Sequence, residues 1–368
     1  MYRTFYIFAN IGFINQPPKS GGQSSARRVV KGLKDIGYEV KTIRRHRAES
    51  EGIITHRLEV LFFAVYDLIK ITSTLLFRNR KESVFMNLSY GGSLVPYEYV
   101  ISVFTGILGF NRLLYLKGGK LLDCYRNGSV FHKQLFKKVL NLQQLIFFEG
   151  QESLKMAQNL TNKPLCYFPN YVFDTQIIKT IQPKSQNKIH LCYFGRIAPF
   201  KNVHIIINTL HLLCEKRNNV YLTIIGGAGQ SMKYVEMIDE MIENSPYKDH
   251  VYRFGLSPFE FIIQQLNHQH FYLFPTQEPA EGHSNSLTEC MSQGVIPIVS
   301  NFHFNRSVVN NDLLVVDGYE PEKYADRINY ILNNYNIDDL ANEVRQNVKD
   351  HFTYEVVFDR IKKELEIL

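Results

Sequence analysis

The sequence lacks any Cys-x-x-Cys pair. Its five cysteines, Cys124, Cys166, Cys192, Cys214 and Cys290, lie far apart and mostly within apolar runs. That excludes a paired-thiol zinc or redox site and predicts buried, reduced thiols. A low-complexity tract and a short repeat are also missing. The first residues, Met1-Tyr-Arg-Thr-Phe-Tyr-Ile-Phe-Ala9, enter a strand-like run directly, without the pattern of a cleaved leader. A cytoplasmic protein is expected, with the inner face of the cell membrane as an alternative address. No stretch is a clean membrane span. Residues 58–77 carry Glu59, Asp67 and Lys70, and residues 99–116 contain Gly106, Gly109 and Arg112 before turning strand-like. The first of these reads, at a period near 3.6, as an amphipathic helix expected to pack on a core. Peripheral contact with a membrane surface is its other reading. The charge excess, +7, is too mild to argue for nucleic acid. It suits an anionic nucleotide, phosphates or an acidic membrane face as well as a scattered soluble surface.

What is present is globular. A chain of 368 residues, 45% hydrophobic and 21% charged, is too long for one ordinary core and favours two domains. Apolar runs at 4–9, 38–43, 83–88, 113–116 and 145–149 alternate with helical patterns at 23–37, up to 77, at 96–109 and at 131–140. After the polar stretch 180–188 come further runs at 190–194, 220–225, 250–254, 271–274, 295–299 and 313–316. Beyond Pro321 the pattern is helical, over 324–333, 337–350 and 354–368. Alternation of this kind predicts an α/β fold of two doubly wound, parallel-sheet domains in tandem, with 180–188 as the linker. The expected domains are 1–180, 181–350 and a helical tail, 351–368.

Chemistry gathers at the ends of the predicted strands. Glu281-Gly-His-Ser-Asn-Ser-Leu-Thr-Glu289 follows the run Phe271-Tyr-Leu-Phe-Pro275 and sets two carboxylates eight residues apart, before Gly294 stops the helical stretch. Carboxylates at a strand's carboxyl end suit sugar or ribose hydroxyls, because open α/β sheets bind ligands there. Ser286-Leu-Thr-Glu289 also fits a capping box, which gives Glu289 a structural role, whereas Glu281 has no helix to cap. Gly195-Arg196 closes another strand, and Lys201 stands at the mouth of the next helix. A guanidinium, an ammonium and a helix N-terminus together suit a diphosphate. The turn holding Gly226 and Gly227 lets backbone approach a ligand, but lacks the spacing of a dinucleotide fingerprint. Arg253-Phe-Gly-Leu256 offers main-chain groups at Leu256 to a nucleobase, or is only a turn. Near the N-terminus, Pro17-Pro-Lys-Ser-Gly-Gly-Gln-Ser-Ser25 reads as a loop with Ser25 as N-cap, and Gly21 and Gly22 in it offer backbone to phosphate or acceptor.

At these residues the chain resembles the retaining GT-B glycosyltransferases of family four, the glycosyl transferases group 1. Those enzymes carry Gly-Arg then Lys, a glycine turn, and Glu-x7-Glu before a Gly-Val-Pro strand. Here these stand as Gly195-Arg196, Lys201, Gly226-Gly227, Glu281 to Glu289 and, with one residue inserted, Gly294-Val-Ile-Pro297. Phe168-Pro-Asn170 extends the likeness ahead of the linker. The resemblance implies a GT-B fold, two Rossmann-like domains facing a cleft with the C-terminal helix crossing back to the first. It implies a nucleotide-sugar donor and a carbohydrate or lipid-linked acceptor, as in bacterial surface-polysaccharide assembly. By the same resemblance Arg196 and Lys201 hold the donor diphosphate, Glu289 takes the ribose hydroxyls and Glu281 contacts the transferred sugar. Amides around His283, Ser284, Asn285, Ser286 and Leu287 hold sugar and phosphate. No metal or other cofactor is expected, and the sequence has no Asp-x-Asp to hold magnesium or manganese.

Two positions depart from the family. Lys117, in Tyr115-Leu-Lys-Gly-Gly119, stands where relatives often have His, so it joins Gly21 and Gly22 as an acceptor-side candidate. Gly-His-Ser-Asn-Ser replaces the commoner Gly-Phe-Gly after Glu281, leaving the donor sugar open. A non-catalytic GT-B binding or scaffold subunit and a sugar-nucleotide epimerase are the competing readings. The full set Arg196, Lys201, Glu281 and Glu289 argues against the scaffold.

Overall fold

Two parallel six-stranded sheets organise the chain in the computed structural model, which describes all residues except 1, 2, 14, 17–20, 49, 51, 186, 230 and 368. The chain divides into one unit of Met1–Pro169 with Val357–Leu368 and a second of Asn170–Val356.

The first unit holds β1 (Thr4–Ala9), α1 (Gly21–Asp35), β2 (Glu39–Arg44), α2 (Ile53–Leu75), β3 (Ser83–Ser89), α3 (Val95–Ile107), β4 (Asn111–Leu116), α4 (Lys120–Arg126), α5 (Val130–Asn141), β5 (Leu145–Phe148), α6 (Gln151–Gln158) and β6 (Leu165–Tyr167). Its strands run in the order β2-β1-β3-β4-β5-β6, all parallel. Strands β3 and β5 are buried along their whole length, and β5 reads as an unbroken apolar run while β3 carries the polar Ser83, Asn87 and Ser89. Helices close both faces. Leu114, Leu116, Phe136, Leu140 and Phe148 form one core, and Tyr6, Phe8, Ile71, Leu75 and Phe85 form another.

Two expectations change in this unit. Helix α1 opens at Gly21, so Ser25 is not an N-cap. It lies inside the helix, where Lys117 Nζ donates to its Oγ at 2.5 Å. Of the expected loop, residues 17–20 lie outside the described residues. Helix α2 does not bury its apolar side. Its fully buried residues are Asp67, Ile71 and Leu75, with Leu68 partly buried against the same core, and most of its other apolar side chains are exposed.

The second unit holds β7 (Ile189–Phe194), α7 (Val203–Cys214), β8 (Val220–Ile225), α8 (Met232–Glu243), β9 (Val251–Phe254), α9 (Phe259–Leu266), β10 (Phe271–Phe274), α10 (Asn285–Ser292), β11 (Ile296–Ser300), α11 (Asn305–Val309), β12 (Val315–Val316), α12 (Pro321–Asn334) and α13 (Ile337–His351). Its order is β12-β11-β10-β7-β8-β9, again all parallel. The strand expected over 313–316 is only two residues long. Asn311 Oδ1 accepts from the Leu313 amide at 2.9 Å and winds Asp312–Leu314 into a 3-10 turn instead. The polar stretch 180–188 is part of this unit rather than a free linker. The Lys184 amide donates to Asp338 at 3.0 Å, and the Ser185 carbonyl is bonded to His270 at 2.9 Å.

The last helix, α14 (Tyr354–Glu366), carries the chain into the first unit from Val357 onward. There the Phe358 ring lies against Gly32 of α1, where any side chain would collide with it, and edge-on to Phe168 at 5.6 Å. Cys166, Cys192, Cys214 and Cys290 are buried, Cys124 is half-buried, and none is in a disulfide.

Candidate active site

In the second sheet the chain winds outward from β7 through β8 and β9, then returns to β10 on the other side of β7. The order therefore reverses between β7 and β10, and an open parallel sheet is parted at the carboxyl ends of such a pair. Lys201 comes from the turn after β7 and Glu281 from the loop after β10. Their side chains form an ion pair in that position, Nζ to Oε2. Thr276 Oγ1 donates to the same carboxylate oxygen at 3.3 Å. The Glu281 backbone is held as well, its amide on Glu278 O at 2.8 Å and its carbonyl accepting from His303 Nδ1 at 3.0 Å.

Lys201 is buried, and its ammonium lies over the Phe274 ring, 5.1 Å from the centroid. Burial and then the positive charge of Arg196 push the ammonium down to about 7, with Glu278 opposing. The Glu281 carboxylate in contact with it favours the charged form too. Arg196 itself is exposed, with its carbonyl accepting from Tyr193 Oη at 2.7 Å. The arrangement is a fixed main chain carrying a guanidinium free to reach an anion.

Two glycines bring the neighbouring loops together. A side chain at Gly226 would sit on the carbonyl oxygen of Gly195, so only glycine lets the β7 and β8 loops touch backbone to backbone. Gly227 then lies by Leu256, which follows β9 and is 91% exposed. Arg253 donates to Gly226 O at 2.9 Å, fixing the β8 turn from the β9 side.

Helix α10 begins with Ser284 as N-cap and Asn285 as first residue. The expected capping box is therefore absent. Ser286 is the second helical residue and Glu289 the fifth, too far along for its carboxylate to return to the first amide. Ser286 Oγ instead bonds Ser284 Oγ at 3.0 Å and Tyr272 Oη at 2.9 Å. The amides of the first turn, Asn285 to Leu287, have no intrahelical acceptor and point out of the helix start. Leu287 sends its side chain into the core, so only its backbone faces outward. Gly294, with φ +68°, ends the helix: its amide reaches Met291 O at 2.9 Å and that of Val295 reaches Cys290 O at 3.1 Å. His283 bonds Thr288 through Nε2 at 2.6 Å, and its carbonyl accepts from Asn170 Nδ2 at 2.6 Å. Glu289 is buried within α10.

The second unit thus gathers Arg196, Lys201, Glu281, the Gly195, Gly226 and Gly227 turns, Leu256 and the α10 start around the same strand ends. The remaining candidates belong to the first unit. Lys117, following β4, is enclosed: its ammonium pairs with Glu149 at 2.9 Å and bonds Ser25 at 2.5 Å and Tyr115 Oη at 3.3 Å. Burial lowers it below the usual lysine value, Glu149 opposes, and Arg28 lowers it further. Gly21 and Gly22 open α1, and a side chain at Gly22 would strike the Tyr90 hydroxyl.

Asn202 was not foreseen from the sequence. It takes the left-handed conformation, φ +55°, between Lys201 and α7, and its Nδ2 donates to Pro275 O at 2.8 Å while Oδ1 accepts from Gln277 at 3.2 Å. The side chain ties the lysine turn to the loop that carries Glu281. An Asn between a turn and a helix is a weak sign of such geometry. His303, also left-handed at +44°, had no sequence sign.

Among the described residues, no cluster of three His, Cys, Asp or Glu side chains could hold a metal ion. The chain is 25% identical over 199 residues to an uncharacterized glycosyltransferase of Methanocaldococcus jannaschii, an alignment covering 52% of this chain and 48% of that protein, about half of each. Its fold matches that of HepE from Anabaena, solved in complex with UDP, over the whole of both chains (TM-score 0.72, 12% identity). It also matches sucrose-phosphate synthase from Thermosynechococcus elongatus over 99% of each (TM-score 0.74, 12% identity). The two parallel sheets are those of the GT-B fold. Residues 174–351, just under half of the chain, match the family described as Glycosyl transferases group 1.

Proposed function

We propose that the protein is a retaining glycosyltransferase, moving a sugar from a nucleoside diphosphate donor to a carbohydrate or lipid-linked acceptor. The observation that carries this reading is the meeting of Lys201 and Glu281 at the reversal of strand order, beside Arg196 and the start of α10. Arg196, Lys201 and the outward amides of Asn285 to Leu287 give the donor diphosphate fixed positive charge as its bond to the sugar breaks. These groups take the place of a metal ion. Glu281 accepts hydrogen bonds from hydroxyls of the sugar, leaving Lys201 for phosphate. Glu289 accepts from the ribose, and the main chain at Leu256 meets the base.

In the reaction the acceptor hydroxyl approaches the anomeric carbon on the face that the diphosphate leaves. The new C–O bond forms as the old one breaks, and the hydroxyl proton passes to the departing phosphate oxygen, so no paired acid and base is required. In the first unit, Gly21, Gly22 and the Lys117–Glu149–Ser25 group serve the acceptor side. The setting is cytoplasmic, at the inner face of the membrane, in surface-polysaccharide assembly.

HepE has been solved with UDP-glucose, so uridine diphosphate sugars come first in a donor panel. The experiment is a thermal-shift screen of donors followed by product analysis with an acceptor panel. Release of nucleotide only with acceptor, and a product that keeps the donor's anomeric configuration, supports the reading. An inverted product removes the retaining mechanism. Donor binding without turnover across the panel replaces transfer by a scaffold role.

A further inference from the structure

Helix α2 is held to its unit on one side and bare on the other. Asp67, buried, accepts from Tyr97 Oη at 3.0 Å and pairs with His46 at 2.6 Å, while Ile71 and Leu75 enter the core. Leu68, packed on the same core, and Phe63, stacked on His46, help hold this side of the helix. On the far side, Ile54, Leu58, Leu61, Val65, Ile69 and Leu76 follow the spacing of one helical face, and each is between 43 and 75% exposed. At 1.5 Å per residue this stripe is roughly 30 Å long. Phe62 and Phe77 widen it. A rigid apolar face of this length is not an ordinary scatter of surface residues.

The charge around the stripe says what covers it. Between residues 52 and 82 the exposed charged side chains are five cations, Arg57, Lys70, Arg78, Arg80 and Lys81, and one acid, Glu82, at the far end. By helical angle, Arg57 and Lys70 flank the stripe on opposite sides, and the other three cations lie beyond the end of the helix. Residues 44–82 hold eight Lys and Arg against five Asp and Glu. Of the two acids on the helix, Asp67 is buried and Glu59 is half-buried, bonded by Ser50 Oγ at 2.6 Å. Among the described residues no helix is long and apolar enough to cross a membrane, so the face lies on a surface rather than spanning it. Apolar residues along the middle with cations on the flanks match a bilayer interface, acyl chains below and anionic headgroups beside.

We propose that α2 docks the protein on an anionic lipid surface, with the Ile54–Leu76 stripe entering the interface and the cations meeting lipid phosphates. The inference deepens the membrane setting proposed above by naming the docking surface and its lipid chemistry, does not depend on glycosyl transfer, and is tested without turnover.

The test is flotation of the full chain with phosphatidylcholine vesicles made with and without phosphatidylglycerol. Wild type is expected to float with the anionic vesicles, and less so as salt rises. The combined Leu58→Ser, Leu61→Ser and Val65→Ser variant, which alters only exposed side chains, should lose binding by about tenfold or more while keeping the wild-type circular dichroism spectrum. Arg57→Glu with Lys70→Glu should remove the preference for anionic lipid. Failure of wild type to float, or unchanged binding by the serine variant, overturns the proposal. So does a concentration-dependent dimer, dissolved by the serine variant, with no vesicle binding, since a second copy then occupies the face.

Discussion

Lys201 and Glu281, 80 residues apart in the chain, close an ion pair between the turn after β7 and the loop after β10. Each partner justifies the other's burial. A buried ammonium without a carboxylate sheds its proton, and a carboxylate in that position without the ammonium is held by Thr276 alone. On the proposed reading, donor phosphate and sugar hydroxyls would meet groups already placed and charged.

Replacing Glu281 by Gln, or Arg196 by Ala, is expected to reduce kcat/KM for transfer by about 100-fold or more, the scale of losing one group that stabilises developing charge. Arg196 is exposed, so R196A keeps its melting temperature. E281Q leaves Lys201 buried beside a neutral amide, so its melting temperature falls modestly at neutral pH. Initial rates with calorimetry check both, and near-normal turnover in either variant removes the assigned roles.

If Lys201 binds the donor as proposed, its ammonium, pushed down to about 7, should make donor binding pH-dependent. Affinity for a diphosphate is highest when the ammonium is charged, so it should fall as pH rises through about 7 or somewhat above, where Glu281 and bound phosphate hold the proton on. Lys201→Arg should flatten this limb, since a guanidinium stays charged. For stability the sign is opposite. The unfolded chain holds this proton up to about 10.5 and the folded chain only to about 7, so stability rises across that interval. Nucleoside diphosphate titrations across pH and denaturant melts read the two effects separately.

His270 should make the second unit acid-labile. Its Nδ1 accepts from the His190 amide at 3.1 Å and its Nε2–H donates to Ser185 O at 2.9 Å, which uses both nitrogens of the neutral ring. Burial, with smaller contributions from Lys184 and His190, pushes it down to about 4 against the bonds to Ser185 and the charge of Asp338. The unfolded chain takes up this proton near 6.5, so stability is lost as pH falls from there toward 4, by about 3 kcal/mol in all. In His270→Gln the slope of unfolding free energy against pH over that window should shrink. An unchanged slope places the titration elsewhere.

Asn202 offers a test of how the Lys201 turn is positioned. Asn202→Gly keeps the left-handed turn but removes the bonds to Pro275 and Gln277, at a cost of about 1 kcal/mol or more. Asn202→Ala adds the strain of a left-handed residue, a further ~1 kcal/mol. Both should raise the donor KM, alanine more than glycine. Equal behaviour of the two variants would show that the backbone conformation contributes nothing there.

Most of the scaffold was legible because parallel strands buried on both faces write themselves as apolar runs. The run at 4–9 is β1, and 220–225 is β8, residue for residue. The candidate residues Arg196, Lys201, Glu281 and Glu289 stood out because they lie in short ordered motifs, and the structure brings Lys201 and Glu281 into contact. Their local settings were less legible. Ser286-Leu-Thr-Glu289 has the spacing of a capping box, yet α10 starts at Asn285, where Ser284 and Tyr272 take the Ser286 hydroxyl. Ser25 likewise reads as a cap but is drawn into α1, bonded to Lys117, far from it in the chain.

The sequence by itself determined the strand–helix alternation, the two-sheet α/β architecture and the motif set, because periodicity and short spacing are local properties. Only the tertiary structure decided that Lys201 and Glu281 are partners, that Asn202 joins their loops and that α2 keeps an apolar face to solvent. Those depend on strand order and on which surfaces are already covered. Neither is written in the spacing of neighbouring residues.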